Sequence, residues 1–162
     1  VAGLDAPIVD IDGVSTPSIV VAFDPRSDLA VLSTAVGLPP ALPLADASAG
    51  QTVALVAYDD EGNPATSAVR IGRLIFAVGD DIYGDPADGR AALELTAEVV
   101  YGNSGGPLVD GSGAVVGVLF SRVRGGRAVA YAVQSAEVLE LLAGLDAGGT
   151  LEEVGSGPCR PR

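Results

Sequence analysis

Short apolar runs, either continuous or alternating with polar residues, recur along most of the chain and are separated by clusters of Gly, Pro, Asn and Asp. Such runs, about four to eight residues long and rich in β-branched residues, predict β-strands when they end at turn residues. The runs with this character lie at residues 8–12, 18–24, 28–33, 52–58, 67–78, 92–100, 115–121 and 128–133. The pattern therefore predicts a protein built mainly of β-strands.

One stretch near the C-terminus has the pattern of a helix. Ser135 is the predicted N-cap, Glu137 falls in the first turn, and Gly144 is predicted to end the helix. The apolar side is formed by Val138, Leu139, Leu141, Leu142 and Leu145. A Pro-, Ala- and Gly-rich stretch at 36–50 is interpreted as a linker between two lobes. We therefore predict an all-β fold of two barrel-like lobes with one helix near the C-terminus.

Composition and charge limit the classes of function. The chain has 21 acidic residues against nine Arg and no Lys, for a net charge of −12. Nucleic-acid binding depends on clustered cations, so no nucleic-acid partner is expected. No apolar run approaches the roughly 20 residues of a membrane-spanning helix. The chain begins without Met and without a basic, signal-like start, so we expect it to be an excerpt of a longer protein.

The stretch GNSGGP at 102–107 carries the most specific chemical signal. Its glycines allow a tight turn from which the Ser104 hydroxyl projects while backbone N–H groups converge on one point. The N–H groups of Gly102 and Ser104 are the predicted donors of an oxyanion hole. The alternative is a Gly-rich turn with a serine of no special function. A serine nucleophile needs a base, and the sequence contains no histidine.

Together with the following PLVDGSGAVVGVLFS, this hexapeptide closely resembles the trypsin-like serine proteases of the chymotrypsin fold, in particular the bacterial branch that includes the HtrA-type enzymes. The resemblance implies an aspartate at the head of a strand in the first lobe. The sequence DLAVL places Asp28 there in preference to Asp24, although DLAVL alone is also an ordinary strand start. The candidate catalytic residues are therefore Ser104 and Asp28.

The same resemblance predicts where the histidine lies. The family order is His, Asp, Ser, and Val1-Ala2-Gly3 resembles the end of the family's histidine motif. The histidine is therefore expected immediately before Val1, and the chain alone is expected to be inactive.

Three features resemble the actinobacterial, membrane-anchored, extracytoplasmic MarP-type proteases: FDPRSDLAVL, LTAEVVYGNSGGPL and the near-terminal Cys159. This resemblance implies an extracytoplasmic location, with membrane attachment through an N-terminal region that the sequence lacks. In an exported protein an odd cysteine implies a partner elsewhere. Cys159 is expected to form a disulfide with an upstream segment of the same protein; a disordered tail thiol is the alternative.

The resemblance also divides the chain. Residues 1–35 correspond to the remainder of an N-terminal barrel, 36–50 to the linker, 51–133 to a C-terminal barrel, 134–145 to the helix and 146–162 to a tail. The first barrel is then incomplete, and the open edge of its Val-rich strands favours aggregation. We therefore expect a companion segment or a longer natural chain.

The implied partner is a polypeptide substrate that pairs in extended form with the strand ending near Ser121. Residues 96–101 are expected to form one wall of the pocket for the residue before the cleaved bond. The candidate substrate-binding residues are Glu98, Tyr101, Phe120, Ser121, Arg122 and Val123. Glu98 would favour a basic substrate residue if it faces the pocket, and is otherwise a surface glutamate.

No metal or organic cofactor is implied. The acidic loop at 79–90 has oxygen ligands suited to calcium but no recognised ligand spacing, so it is interpreted as a solvated loop. Asn103 stands where many digestive relatives have an Asp that pairs with a newly freed N-terminus. That activation switch is therefore not expected here.

Two functions fit these observations. The first is a serine endopeptidase that uses a Ser-His-Asp triad. The alternative is a catalytically inactive, protease-like module that binds peptides. The residue at the upstream histidine position distinguishes the two.

Overall fold

The computed structural model of the protein describes residues 2–4, 6–37, 39–123, 128–145 and 151–159. The chain forms two compact units. The first comprises Val1–Ala41, Gly79–Asp88 and Leu139–Arg162, and the second comprises Leu42–Val78 and Gly89–Val138. Val1, at the predicted end of the histidine motif, lies outside the described residues, as do 146–150 and 160–162 of the predicted tail.

An antiparallel sheet with strand order β1-β2-β3 is the regular part of the first unit. Its strands are β1 (Ile8–Ile11), β2 (Val14–Asp24) and β3 (Leu29–Thr34). Successive strand residues normally point to opposite faces, yet Val20 and Val21 are both buried. A bulge between Val20 and Ala22 accounts for this, because the extra residue shifts the register against β3.

The C-terminal segment 151–159 has no regular structure, as predicted, but it is bonded to the N-terminal part of the first unit. The Val154 N–H donates to the Val20 carbonyl on β2 at 2.8 Å. The Ser156 carbonyl accepts from the Gly3 N–H at 3.3 Å. Residues 154–156 are therefore attached by backbone hydrogen bonds to β2 and to Gly3.

Six strands form a closed barrel that makes up most of the second unit, in the order β4-β5-β6-β9-β8-β7. The elements are β4 (Thr52–Tyr58), β5 (Pro64–Asp80), β6 (Pro86–Thr96), β7 (Pro107–Val109), β8 (Val115–Arg122), β9 (Val129–Gln134) and the helix α1 (Ser135–Ala143). Aliphatic side chains fill the barrel, the largest fully buried ones being Leu55, Ile71, Leu93, Leu95 and Leu108. Each contributes about 1.5–3 kcal/mol by leaving water. The all-β prediction is confirmed.

Both predicted boundaries of β6 were wrong, and β2 and β5 begin earlier than predicted, at Val14 and Pro64. β6 begins at Pro86 rather than at residue 92, directly after a turn in which the Asp81 N–H donates to the Asp85 carbonyl at 2.8 Å. It ends at Thr96, because residues 97–100 leave the strand. The sequence also failed to predict β7, whose three residues are too few to form a recognisable pattern.

The helix is present, but its predicted contacts were partly wrong. The buried Ser135 hydroxyl donates to the Val115 carbonyl at 2.6 Å instead of capping the helix. Glu137 is buried and accepts from the Ala91 N–H at 2.6 Å, whereas Leu139, on the predicted apolar side, is 52% exposed. Among the described residues, no helix has the length and apolar character needed to cross a bilayer.

Candidate active site

Ser104 lies on a tight turn just before β7, and its side chain is exposed. Gly102 and Gly105 adopt left-handed backbone conformations, with φ of 95° and 88°, which favour glycine. The Gly105 N–H donates to the Leu119 carbonyl on β8 at 2.7 Å. The Ser104 hydroxyl oxygen lies 3.5 Å from the Phe120 carbonyl oxygen. β8 therefore holds the turn while the hydroxyl stays at the surface.

The backbone N–H groups of this turn fall into two sets. Those of Gly105 and Gly106 donate to carbonyl groups of the protein. Those of Gly102 and Ser104 donate to no residue within the described part of the chain. The second set consists of the two predicted oxyanion donors, whose role stays a prediction.

Gly106 has no room for a side chain. A Cβ atom there would lie 2.9 Å from both the Asn103 and the Val56 carbonyl oxygens. Because both are backbone atoms, we expect Gly106→Ala to lower the free energy of unfolding by about 2–3 kcal/mol in urea denaturation. Gly111→Ala is the matched control, since nothing lies within 4 Å of its Cβ position, and it should change stability by less than about 0.5 kcal/mol. Equal stabilities of the two variants would contradict the expected collision.

Asn103 directly precedes the serine and is only 5% exposed. Its Oδ1 accepts from the Val100 N–H at 3.0 Å, and its Nδ2 donates to the Tyr58 carbonyl at 2.7 Å. The side chain therefore joins the turn both to the segment before it and to the end of β4.

A cavity of about 210 Å³ lies beside Ser104. Its lining residues are Val99, Val100, Tyr101, Gly102, Ser104, Leu119, Phe120, Ser121 and Arg122. The structure thus brings four of the predicted substrate-binding residues together with the serine. The other two, Glu98 and Val123, are exposed and do not line the cavity, and their assignment stays a prediction.

Residues that line this cavity take part in two cation–π contacts. The Arg122 guanidinium lies 4.7 Å from the centre of the Tyr101 ring. The Arg90 guanidinium lies 4.3 Å from the centre of the Phe120 ring, which is also 6.5 Å from the Tyr131 ring. Such contacts contribute about 0.5–1 kcal/mol at exposed sites. Sequence analysis missed Arg90, because no local motif connects it with β8.

A second cavity, of about 430 Å³, also reaches Ser104. Its lining residues are Val56, Ala57, Tyr58, Pro64, Gly102, Asn103, Ser104, Gly105, Gly106 and Pro107. The two cavities share Gly102 and Ser104, so the serine lies where they meet. The β4 and β5 residues of this lining were missed, since they are distant in sequence from GNSGGP.

Asp28 and Asp24 lie in the first unit, at opposite ends of the turn between β2 and β3. The Asp24 carboxylate accepts hydrogen bonds from the Arg26 and Ser27 N–H groups at 3.0 and 3.3 Å, and it forms an ion pair with Arg26 at 3.2 Å. Asp28 is exposed, has φ of 60°, and directly precedes β3. Asp24 therefore stabilises its own turn, whereas the preference for Asp28 as the catalytic aspartate stays a prediction.

Of the predicted acidic loop at 79–90, only residues 81–85 form a turn, and the remaining residues belong to β5 and β6. One carboxylate oxygen of Asp81 accepts the N–H groups of Tyr83 and Asp85 at 2.8 and 3.1 Å. The Tyr83 hydroxyl donates to the Ser156 carbonyl at 2.9 Å. Among the described residues, no group of three or more His, Cys, Asp or Glu side chains is arranged to hold a metal ion.

Cys159 is exposed, and its sulfur lies 3.6 Å from the Gly3 carbonyl oxygen. The 162 residues contain one cysteine, so the predicted disulfide has no partner within this sequence. The thiol lies beside Gly3, among the first described residues of the chain.

A family model described as a trypsin-like peptidase domain matches residues 3–118. The chain belongs to the trypsin-like peptidase family. The match includes Asp28 and the whole GNSGGP turn, so the predicted family is confirmed.

Curated relatives of this trypsin-like peptidase include serine proteases Rv3671c and MT3772 of two Mycobacterium tuberculosis strains, H37Rv and CDC 1551. Each is 36% identical over 143 residues, covering 86% of this chain and 35% of the relative. A probable periplasmic, DegP-like serine endoprotease of Brucella suis is 28% identical and covers 87% of this chain and 28% of the relative. The chain therefore spans about a third of the length of these relatives.

Solved structures with the same fold include the active form of the M. tuberculosis Rv3671c protease. It has a TM-score of 0.90 and 34% identity, and the match covers 99% of this chain and 71% of that one. The HtrA-type protease AlgW, solved with a decapeptide, has a TM-score of 0.71 and 25% identity, with 88% and 44% of the two chains covered. The predicted chymotrypsin-like fold class and the resemblance to MarP-type and HtrA-type proteases are confirmed.

Proposed function

We propose that this chain supplies Ser104 and Asp28 to a serine endopeptidase whose general base is a histidine located before Val1 in the natural protein. The observation that carries the proposal is the exposed Ser104 hydroxyl on a left-handed glycine turn, where two cavities meet. The two neighbouring N–H groups that bind no described residue support an oxyanion hole at this turn.

The proposed mechanism is acyl transfer in two steps. The Ser104 oxygen attacks the peptide carbonyl carbon while the histidine removes the hydroxyl proton, and Asp28 holds the histidine in the required tautomer. The Gly102 and Ser104 N–H groups stabilise the oxyanion of the tetrahedral intermediate. The histidine then protonates the leaving amine, and water releases the acyl group from Ser104 by the same route in reverse. The mechanism uses no metal or organic cofactor.

The proposed substrate is a polypeptide bound in extended form. Its residue before the cleaved bond enters the 210 Å³ cavity between Tyr101 and the end of β8. The backbone of residues 121–123 then pairs with the substrate, which gives affinity without strong sequence preference. AlgW was solved with a decapeptide and with a tripeptide, which supports a peptide ligand for this fold.

We further propose that the natural protein is extracytoplasmic and anchored in the membrane through an N-terminal region outside this sequence. The periplasmic designation of the DegP-like relatives supports the location. Cys159 would be oxidised in that compartment. Its place beside Gly3 is consistent with a disulfide to the upstream segment.

One observation favours a second candidate function. The 162 residues contain no histidine, so this stretch lacks the usual base for its serine. Both cavities at Ser104 are nevertheless formed within the second unit. A protein with another residue at the upstream histidine position would retain peptide binding without cleavage.

Labelling by a fluorophosphonate, which reacts with activated serines, distinguishes the two functions. The natural protein is incubated with the probe, digested, and examined by mass spectrometry. For an endopeptidase we expect stoichiometric modification of Ser104, and no modification of the 162-residue chain alone. A natural protein that binds an unlabelled peptide in calorimetry but leaves Ser104 unmodified would be the inactive binding module.

A further inference from the structure

The Asn103 side chain needs one donor and one acceptor among its neighbours, and it has both. Its Oδ1 receives the Val100 N–H, and its Nδ2 gives a hydrogen to the Tyr58 carbonyl at 2.7 Å. A primary amide fits this pair because it carries a donor and an acceptor on one carbon. An ionised carboxylate accepts only, so its second oxygen would face the Tyr58 carbonyl oxygen with no hydrogen between them.

The backbone of Asn103 also makes hydrogen bonds to the segment before it and to the turn after it. Its N–H donates to the Val100 carbonyl at 3.4 Å, and its carbonyl accepts from the Gly106 N–H at 2.9 Å. Val100 is therefore bonded to Asn103 through both its N–H and its carbonyl. Gly102 and Ser104 are the two neighbours of Asn103 in the chain, so the directions of their N–H groups depend on how this residue is held.

We propose that Asn103 is a positioning residue whose buried amide sets the Gly102 and Ser104 N–H groups in their oxyanion-binding arrangement, and that this site accepts an aspartate only when its carboxyl group is protonated. The proposal rests on the proposed function, because it assigns those N–H groups to the oxyanion. It also agrees with the expectation that this turn uses no charged partner from a freed N-terminus. The neutral amide makes both bonds within the chain.

Several charged and titratable groups lie on or beside the segments that contact Asn103, including Asp60 and Glu61. Tyr58 and Tyr101 lie on the two segments that Asn103 joins, with Arg122 over the Tyr101 ring and Glu98 on the segment before Val100. Asp59 follows Tyr58, and hydrogen bonds from Asn63 hold the pKa of that carboxyl below its ordinary value. Asp59 therefore stays ionised between pH 5 and pH 8, so a change in rate over this range does not come from protonation of Asp59.

The test uses the natural protein with Asn103→Asp and, as the matched control, Asn103→Ala. At pH 7.5 we expect both variants to lower kcat/KM for a peptide substrate by about 10–100-fold, mainly through kcat, because the oxyanion exists only near the transition state. Each rate is divided by the rate of the unsubstituted protein at the same pH. This ratio cancels the pH dependence that both proteins share through the proposed histidine. Burial and the facing carbonyl raise the pKa of an aspartate here above the ordinary value of about 3.9.

On lowering the pH from 7.5 to 5.5, the relative rate of Asn103→Asp should therefore recover at least fivefold, while that of Asn103→Ala stays flat. The Tm of each variant is measured at both pH values. A recovery of rate without a rise in Tm reflects the geometry of the turn rather than the stability of the fold. A flat ratio for Asn103→Asp, or rates at pH 7.5 equal to those of the unsubstituted protein, would overturn the proposal while leaving the endopeptidase intact.

A second readout does not depend on activity. Hydrogen exchange at the Val100 N–H should be slow in the unsubstituted protein at pH 7.5 and at least tenfold faster in Asn103→Ala, which lacks the acceptor for this N–H, provided that the barrel remains folded. Unchanged exchange would overturn the proposal. An unsubstituted protein that exchanges slowly but neither cleaves peptides nor reacts with a fluorophosphonate would refute the proposed function and not the amide contacts.

Discussion

Replacing Ser104 by alanine in the natural protein is expected to lower kcat for a peptide substrate by about 10⁵-fold or more. The substitution removes the atom that forms the acyl intermediate, while the 210 Å³ cavity and the backbone N–H groups persist. Peptide affinity should therefore change little, and the loss should appear in kcat rather than in KM. The measurement is steady-state hydrolysis combined with calorimetric peptide binding.

Ser112→Ala provides the control for this experiment. The Ser112 hydroxyl donates to the Asp110 carboxylate in the turn after β7, at 2.6 Å, and it lines neither cavity at Ser104. We expect this variant to retain kcat within about twofold. Substantial hydrolysis by the Ser104→Ala protein would remove Ser104 from the mechanism.

Asp28→Asn is expected to lower kcat by about 10⁴-fold with little change in stability. An amide in place of the carboxylate favours the wrong histidine tautomer and does not stabilise the imidazolium that forms during the reaction. Asparagine adopts the left-handed backbone conformation of Asp28, with φ of 60°, as readily as aspartate does, so the turn should keep its fold. The measurements are steady-state hydrolysis and urea unfolding of the same preparation.

Asp24→Asn should give the opposite result. Its carboxylate accepts the Arg26 and Ser27 N–H groups and pairs with the Arg26 guanidinium, so an amide weakens the turn by about 1–2 kcal/mol. Activity should remain within about threefold. If Asp24→Asn abolished hydrolysis while Asp28→Asn did not, the assignment of the catalytic aspartate would be reversed.

The fold could be predicted where local pattern and tertiary environment agree. The bounds of β4 (Thr52–Tyr58) match the prediction because its continuous apolar run ends where a turn begins, at Asp59. The first half of β6 could not be predicted, because PADGRA contains proline, glycine and charges that favour a loop. Glu137 is buried because it accepts the Ala91 N–H, and this partner is invisible to any helical pattern.

The site could be predicted to the extent that it is local in sequence. GNSGGP contains the serine and the two N–H groups, and the nearby run that forms β8 contains the β8 residues of one cavity. The Tyr58 carbonyl, which holds Asn103, lies 45 residues away, and a hydrogen bond across that distance leaves no sequence signal. Arg90 was missed for the same reason, since its contact with Phe120, 30 residues away in sequence, joins β6 and β8.

The bonds between Val154 and Val20 and between Gly3 and Ser156 join segments that are synthesised far apart in time, because more than 100 residues separate them in the sequence. The second unit has all of its residues once Val138 has left the ribosome, whereas the first unit draws on both ends of the chain. Domains generally fold as units during synthesis, the N-terminal one first. Here we expect the reverse, because the unit that contains Asp28 lacks part of its contacts until residues 154–156 have been made. We therefore expect a nascent chain that stalls before residue 151 to contain Ser104 on a complete second unit. Its β1-β2-β3 sheet would still lack the hydrogen bond from Val154.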